Sequence, residues 1–180
     1  MVDDRARLLE LITTHALKRG HFILASGRES AYYLDGRMVA LHPEGAYLIG
    51  KLIFALIAEM DVQAVGGLTL GADPVASAVS LVSFLEGRPL NAFIVRKEAK
   101  GHGTQKLVEG PLLPGSRVVI VEDTVTTGES PLKAAAAVEA LDCQVAAVVV
   151  VIDREEGARE RIEGAGYRFL PLFTTKDLGI

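Results

Sequence analysis

Two continuous runs of apolar residues constrain the fold of this chain more than any other feature of its sequence. They are VVIV at residues 118–121 and VAAVVVVI at residues 145–152. A strand with one solvated face alternates apolar and polar residues, whereas a strand covered on both faces is apolar throughout. The two runs therefore predict central strands of a mostly parallel sheet with helices on both faces.

Strand-like and helix-like segments alternate along most of the chain, as a parallel sheet requires. The predicted helices cover residues 3–19, 43–60, 74–86, 129–141 and 155–163. The predicted strands cover two short segments within 21–37, then 63–67, 91–96, 117–122, 144–152 and 167–173. The apolar residues of 97–112 follow neither a helical nor a strand period, and this segment is predicted to form a long loop. The pattern predicts one α/β domain over residues 1–180.

Composition and charge narrow the function classes. The chain has 180 residues and a formal net charge of −4, which argues against general nucleic-acid binding. No uncharged apolar run approaches the ~20 residues that a membrane helix needs, and the first ten residues lack the pattern of a secretory signal. A single cysteine, Cys143, excludes an internal disulfide and a multi-cysteine zinc site. We expect a cytoplasmic protein.

Charged and hydroxyl-bearing residues follow the first apolar run at once. Glu122 and Asp123 come directly after it, and the turn from Thr124 leads into a helix that is predicted to begin near Ser130. Ligands of open α/β sheets bind at the carboxyl ends of strands, and a helix start offers free N–H groups to a phosphate. The acids would suit sugar hydroxyls or a hydrated metal. The turn predicts a site for a phosphorylated sugar; a plain helix start with solvated acids is the alternative.

Three further segments contain residues that could take part in binding or catalysis. RKEAKGHG at 96–103 is a basic stretch in the predicted loop, and it could close over a leaving diphosphate or be a solvated loop. GGLTLGADP at 66–74 has glycines that permit close approach to an anion. VIDREE at 151–156 is another apolar strand that ends in charge.

Residues 118–130, VVIVEDTVTTGES, resemble the phosphoribosyl-diphosphate (PRPP) signature of the type I phosphoribosyltransferases. RKEAKGHG resembles the catalytic loop of the orotate phosphoribosyltransferases and matches the purine-using relatives poorly. Residues 22–33, 69–73 and the Asp153–Arg154 pair resemble further segments of that family, in order and at the expected spacing. Many relatives have a lysine where this chain has Ala25.

The resemblance implies a type I phosphoribosyltransferase fold, with an N-terminal helix and a small hood within residues 1–42 and a mobile catalytic loop at 97–112. It implies Mg²⁺-dependent transfer of ribose 5-phosphate from PRPP to orotate, giving orotidine 5′-monophosphate and pyrophosphate in the biosynthesis of UMP. Mg²⁺ would be held mainly by PRPP. The resemblance also implies a homodimer whose catalytic loop is shared between subunits. From the charge and the lack of a long apolar run, we expect no nucleic-acid or membrane partner.

The site residues follow from the same resemblance. The catalytic residues would be Lys100, Asp123 and His102. The PRPP contacts would be Arg96, Lys97, Lys100, His102, Glu122, Asp123, Thr124, Val125, Thr126, Thr127, Gly128, Glu129 and Ser130. The pyrophosphate loop would be Thr69, Leu70, Gly71, Ala72 and Asp73. The orotate contacts would be Thr126, Arg154, Tyr32 and Tyr33. A purine phosphoribosyltransferase and a PRPP-sensing regulator are the alternative functions.

Overall fold

The fold is taken from a computed structural model, which describes residues 3–23, 27, 29–98 and 106–180. The helices in these ranges are α1 (Asp4–Leu11), α2 (Arg37–Ala40), α3 (Pro43–Leu56), α4 (Ala72–Leu85), α5 (Glu129–Glu139) and α6 (Ala158–Gly164), with a π-helical turn at Ile12–Ala16. The strands are β1 (Leu17–Ile23), β2 (Glu29–Leu34), β3 (Ala64–Leu68), β4 (Asn91–Val95), β5 (Val108–Glu109), β6 (Arg117–Val125), β7 (Gln144–Asp153) and β8 (Phe169–Thr174). None of these helices has the length and apolar content needed to cross a bilayer.

Six of the strands form one sheet in the order β5-β4-β3-β6-β7-β8. Strand β3 pairs in parallel with β4 and β6, and β7 pairs in parallel with β6 and β8. The short edge strand β5 runs antiparallel to β4. The two apolar runs lie in β6 and β7, in the interior of the sheet, where both faces are covered. The predicted mostly parallel sheet is confirmed.

Two hydrophobic cores, one on each face of the sheet, hold the helices in place. The first joins apolar side chains of α1, α3 and α4 to alternate residues of the strands, such as Val119 and Val121. The second joins α5 and α6 to the intervening strand residues, such as Val118 and Ile120. Because successive side chains of a strand point to opposite faces, a continuous apolar run supplies both cores. The predicted helices on both faces are confirmed.

The N-terminal segment differs from its predicted form. The sequence predicts one helix over 3–19, but α1 and the π-helical turn end at Ala16, and Leu17 begins a strand that pairs with Leu34. Strands β1 and β2 form a separate antiparallel sheet. The helical spacing of apolar residues continued into this strand, and its pairing partner lies too far along the chain to be read from local pattern.

Strand β6 is longer than predicted. The predicted strand stops at residue 122, yet β6 continues through Glu122, Asp123 and Thr124 to Val125, which pairs with Asp153 of β7. Acidic residues disfavour strands intrinsically, but pairing with a neighbouring strand overrides that preference. The short helix α2 was not predicted, and neither was strand β5, which lies within the predicted loop 97–112 and forms by pairing with β4. The other element ends differ from prediction by a few residues.

The order of the strands creates a switch point between β3 and β6. From β3 the chain proceeds to β4 on one side, and from β6 it proceeds to β7 on the other side. The loops that leave the carboxyl ends of β3 and β6 therefore turn away from each other and leave a crevice between them. Such a crevice is the usual ligand site of an open α/β sheet.

Candidate active site

A cavity of about 270 Å³ opens at this crevice. Its walls come from the end of β3, the loop after it, the acidic end of β6, the start of α5, and the basic segment after β4. The lining residues are Arg37, Leu68, Thr69, Leu70, Gly71, Lys97, Glu122, Asp123, Thr124 and Ser130. A second cavity of about 780 Å³ shares Leu68, Lys97 and Ser130 with the first and extends along α5.

The loop after β3 brings backbone and hydroxyl groups to the cavity. The Thr69 N–H donates to the carbonyl of Val95 at 2.8 Å, which continues the pairing of β3 with β4. The Thr69 hydroxyl donates to Oδ2 of Asp73 at 2.7 Å, so the loop is tied to the first turn of α4. The peptide bond between Thr69 and Leu70 is cis. The other carboxylate oxygen of Asp73, Oδ1, is buried and has no hydrogen-bond partner among the described residues.

Glu122 and Asp123 form a buried pair of carboxyls beneath the cavity. Glu122 is 5% exposed and Asp123 is 8% exposed. Burial, together with the charge of Asp123, raises the pKa of Glu122 to about 9. Burial also raises the pKa of Asp123, although its hydrogen bonds with Glu122 and the Thr124 N–H oppose the shift. Two acids that resist ionisation in this way favour a ligand that brings positive charge or hydroxyl groups.

Two glycines allow the surrounding backbone to approach these acids closely. A Cβ at Gly71 would meet carboxylate oxygens of both Glu122 and Asp123. A Cβ at Gly36 would lie 2.9 Å from Oδ2 of Asp123 and would also meet the Thr124 hydroxyl. The Thr124 hydroxyl oxygen is buried and has no hydrogen-bond partner in the described ranges. The backbone at Gly36 and Gly71 therefore packs directly against the acids.

The turn after β6 leads directly into α5. Gly128 has φ of 78° and precedes the first helical residue, Glu129. A side chain there would be strained and would press against Ile162 of α6. The start of α5 leaves N–H groups without partners inside the helix, and these favour an anion. Glu129 itself turns outward, to an ion pair with Lys133 at 2.6 Å.

The basic segment is described only in part. Arg96 and Lys97 line the cavities beside the crevice. The Arg96 Nη1 lies 3.7 Å from Oε1 of Glu109, while its Nε is buried without a hydrogen-bond partner among the described residues. Lys100 and His102 lie outside the described residues, as does the rest of 99–105 in the loop predicted at 97–112.

Arg154 lies at the carboxyl end of β7, beside the turn that follows β6. Its N–H donates to the carbonyl of Val125 at 3.0 Å, which places Arg154 next to Thr126. Its guanidinium pairs with Oε1 of Glu156 at 3.0 Å and lies over the ring of Tyr32, 5.3 Å from its centroid. The Nε of Arg154 is buried without a partner in the part of the chain that is described. A fixed guanidinium with a donor to spare could bind a carboxylate.

The two predicted tyrosines lie in different surroundings. Tyr32 is half-buried against Arg154, whereas Tyr33 is 40% exposed and packs against Phe22 at 5.8 Å between ring centroids. Neighbouring residues of a strand point to opposite faces. The structure thus brings Tyr32 to Arg154 and leaves Tyr33 on the other face of the hairpin.

Sequence reasoning missed the segment Asp35-Gly36-Arg37. Gly36 lies against Asp123, and Arg37 lines the cavity. The segment has no periodic pattern, and a short Asp-Gly-Arg stretch in a turn gives no signal of chemistry by itself. Only the packing of α2 against the end of β6 brings it to the acids.

The fold and this crevice define a class of protein. The family model described as the phosphoribosyl transferase domain matches residues 42–166, so the chain is a member of the phosphoribosyltransferases.

Individual relatives narrow the class. The orotate phosphoribosyltransferase of Nostoc sp. is 49% identical over 175 residues, which cover 97% of this chain and 84% of that protein. The Mycobacterium tuberculosis orotate phosphoribosyltransferase in complex with Fe(III) dicitrate superposes with a TM-score of 0.90 at 47% identity, covering 99% of this chain and 100% of that one. The same enzyme in complex with PRPP superposes with a TM-score of 0.85 at 44% identity, again covering 99% and 100%. This chain belongs to the orotate phosphoribosyltransferase family.

Proposed function

We propose that this chain transfers ribose 5-phosphate from PRPP to orotate, with Mg²⁺, giving orotidine 5′-monophosphate and pyrophosphate for UMP biosynthesis. The observation that carries the proposal is the buried pair Glu122 and Asp123 at the β3–β6 switch point. The acids lie between two backbone loops that suit the two phosphorylated ends of PRPP.

PRPP would bind across the crevice. The ribose hydroxyls would face Glu122 and Asp123, because hydroxyls can donate to carboxylates and also accept from a protonated carboxyl. The 5′-phosphate would bind the turn 124–130, where the start of α5 provides N–H groups and positive potential. The diphosphate would bind the loop Thr69–Asp73 on the other side of the acids. In this orientation the diphosphate lies against the wall of the 270 Å³ cavity that is formed by the loop after β3.

Orotate would bind at the ends of β6 and β7. Its carboxylate would accept from Arg154, which Glu156 and Tyr32 hold in place. Thr126 is adjacent through the hydrogen bond between Arg154 and Val125. Tyr33 is the least supported of the proposed orotate contacts, because it packs against Phe22 instead.

The residues present fit Mg²⁺ that takes most of its ligands from PRPP. Over the described residues, no group of three or more His, Cys, Asp or Glu side chains is arranged to hold a metal ion. Mg²⁺ is commonly bound through one or two carboxylates together with substrate phosphates, and Glu122 and Asp123 provide two at the cavity. When bound, Mg²⁺ would neutralise charge on the diphosphate.

Stabilising charge is the main task of this chain's own residues in the reaction. Cleavage of the anomeric C–O bond builds negative charge on the departing diphosphate and positive charge on the ribose. Arg96 and Lys97, together with Lys100 and His102 from outside the described residues, would stabilise the first. The Glu122–Asp123 pair would hold the ribose, through its hydroxyls, in position for the orotate nitrogen. No covalent intermediate with the protein is required.

A homodimer with a shared catalytic loop is part of the proposal. Three large apolar side chains of α4 are strongly exposed, namely Leu81 (62%), Phe84 (70%) and Leu85 (67%). An apolar patch of this kind supports an interface with a second copy. We also propose that the β1–β2 hairpin within residues 1–42 is the hood over the orotate site, which the position of Tyr32 supports. A cytoplasmic location fits the single buried Cys143.

One assay tests the function. The purified protein is mixed with PRPP and Mg²⁺, and consumption of orotate is followed by its absorbance. Adenine, guanine and hypoxanthine are tested in parallel. We expect turnover with orotate, none with the purines, and loss of activity when Mg²⁺ is chelated. Turnover of a purine in place of orotate would contradict the proposal, and binding of PRPP without turnover of any base would favour a PRPP-sensing regulator.

A further inference from the structure

Arg37 belongs to a segment that packs directly on the acid pair. The neighbouring Gly36 is so close to Asp123 and Thr124 that no side chain fits at that position. Arg37 follows as the first residue of α2 and lines the 270 Å³ cavity together with Leu70 and Gly71. The close approach of the backbone therefore brings a guanidinium to the loop after β3.

Asp35 holds the Arg37 side chain in a defined position. The Nε and Nη2 of Arg37 donate to the two carboxylate oxygens of Asp35 at 2.8 and 2.9 Å. The Arg37 backbone N–H also donates to Asp35, at 3.2 Å. This pairing occupies one edge of the guanidinium and uses two of the about five N–H donors that the group carries. Among the described residues, the remaining donors, on Nη1 and the outer side of Nη2, have no acceptor and are left for a ligand.

The charges around the cavity identify what that acceptor would be. In the described part of the chain, the cations that line this cavity are Arg37 and Lys97, and both line it together with the loop Thr69–Gly71. The Arg37 side chain is 48% exposed and lines the cavity, whereas the side chain of its partner Asp35 is 20% exposed. The guanidinium is therefore more accessible to an anion in the cavity than the carboxylate is. A fork of this kind suits phosphate oxygens, and its orientation is fixed before the ligand arrives.

We propose that Arg37 binds the diphosphate group of PRPP in the cavity that Arg37 and Lys97 both line. This inference rests on the proposed function, and it adds a phosphate contact outside the PRPP motif, the pyrophosphate loop and the basic loop. The competing explanation is structural: Arg37 and Asp35 could merely fix the turn between β2 and α2. The two explanations differ in which ligand is lost when the guanidinium is removed.

The test compares product inhibition in the wild type and in Arg37→Met. Inorganic pyrophosphate with Mg²⁺ probes the diphosphate position, and ribose 5-phosphate probes the sugar-phosphate position. We expect the inhibition constant for pyrophosphate to rise about 10- to 100-fold, as for a lost charged hydrogen bond. The inhibition constant for ribose 5-phosphate and the KM for orotate should change less than about twofold. Arg37→Lys, which keeps the charge but loses the fork, should give an intermediate value for pyrophosphate.

Arg117→Met is the matched control, because Arg117 is exposed and begins β6, at the amino end of the strand, whereas the cavity lies at its carboxyl end. It should leave both inhibition constants unchanged. Melting temperatures establish that each variant is folded. If Arg37→Met does not fold, Arg37→Lys is used for the comparison instead. An unchanged pyrophosphate constant, or an equal loss for both probes, overturns the inference. A wild type that does not turn over orotate would instead refute the proposed function, so the two failures are distinguishable.

Discussion

Replacing Glu122 by Gln should make the unliganded protein less sensitive to rising pH. The folded protein holds the Glu122 carboxyl with a pKa of about 9, against an ordinary value of 4.5. Between these values the folded state retains a proton that the unfolded chain has released. Stability therefore falls as pH rises through this window, at up to about 1.4 kcal/mol per pH unit for one group. Gln does not titrate, so the variant lacks the loss of stability that Glu122 causes as pH rises.

The expected size follows from that slope. Between about pH 6 and about pH 8, the free energy of unfolding of the wild type should fall by about 2.7 kcal/mol more than that of Glu122→Gln. For a chain of this length that corresponds to about 5–10 °C in melting temperature. Urea unfolding at the two pH values, without PRPP or Mg²⁺, measures the difference directly. Titrating groups away from the pair are common to both proteins and largely cancel, whereas the pKa of Asp123 changes with its neighbour and adds to the difference.

Glu129→Gln provides the control for this experiment. Its ion pair with Lys133 lowers the pKa of Glu129, so that carboxyl is ionised in both folded and unfolded states throughout the window. This variant should follow the wild type, with the same dependence on pH. Identical slopes for Glu122→Gln and the wild type would mean that the buried pair is already ionised without a ligand, and the reasoning from burial would be wrong.

Three further predictions concern single substitutions at the site. Lys100→Ala should lower kcat by about 10²–10³ with little effect on PRPP binding, because its charge acts on the departing diphosphate; steady-state kinetics and equilibrium binding check this, and an unchanged kcat refutes it. Arg154→Ala should raise KM for orotate at least about tenfold more than KM for PRPP; an equal rise for both substrates contradicts the assignment. Gly71→Ala should abolish PRPP binding and lower the free energy of unfolding by about 1–3 kcal/mol, because its methyl would press on Glu122; calorimetry and urea unfolding measure both, and wild-type PRPP affinity would show that the acids can move aside.

Local pattern was sufficient for the central sheet and for the acid pair. Continuous apolar runs specify β6 and β7, and the acids that follow them mark the ligand edge without knowledge of any neighbour. The same local reasoning failed where pairing between distant segments decides the outcome. It extended the first helix past Ala16, where pairing between Leu17 and Leu34 begins a strand, and it ended β6 too early, where Asp153 holds Val125 in the sheet.

The site shows the same division between local and distant information. The position of the segment Thr124–Ser130 and of Arg154 at the carboxyl end of the sheet could be predicted, because each follows an apolar strand; their roles stay predictions. The position of Arg37 could not be predicted, since it depends on the packing of α2 against Asp123. Tyr32 and Tyr33 are equivalent in the sequence, and only the hairpin register separates their surroundings.

The switch point between β3 and β6 has a consequence for how substrate affects the whole molecule. The loops that would grip the two ends of PRPP belong to remote stretches of chain that meet only when the central strands have paired. A ligand that binds between these loops binds only the folded chain, so it stabilises the entire domain by RT ln(1 + L/Kd), an amount that grows with the free ligand concentration L. Destabilising substitutions far from the crevice, such as those that leave a cavity in either hydrophobic core, should therefore reduce the folded fraction of the protein least in cells with a high concentration of PRPP.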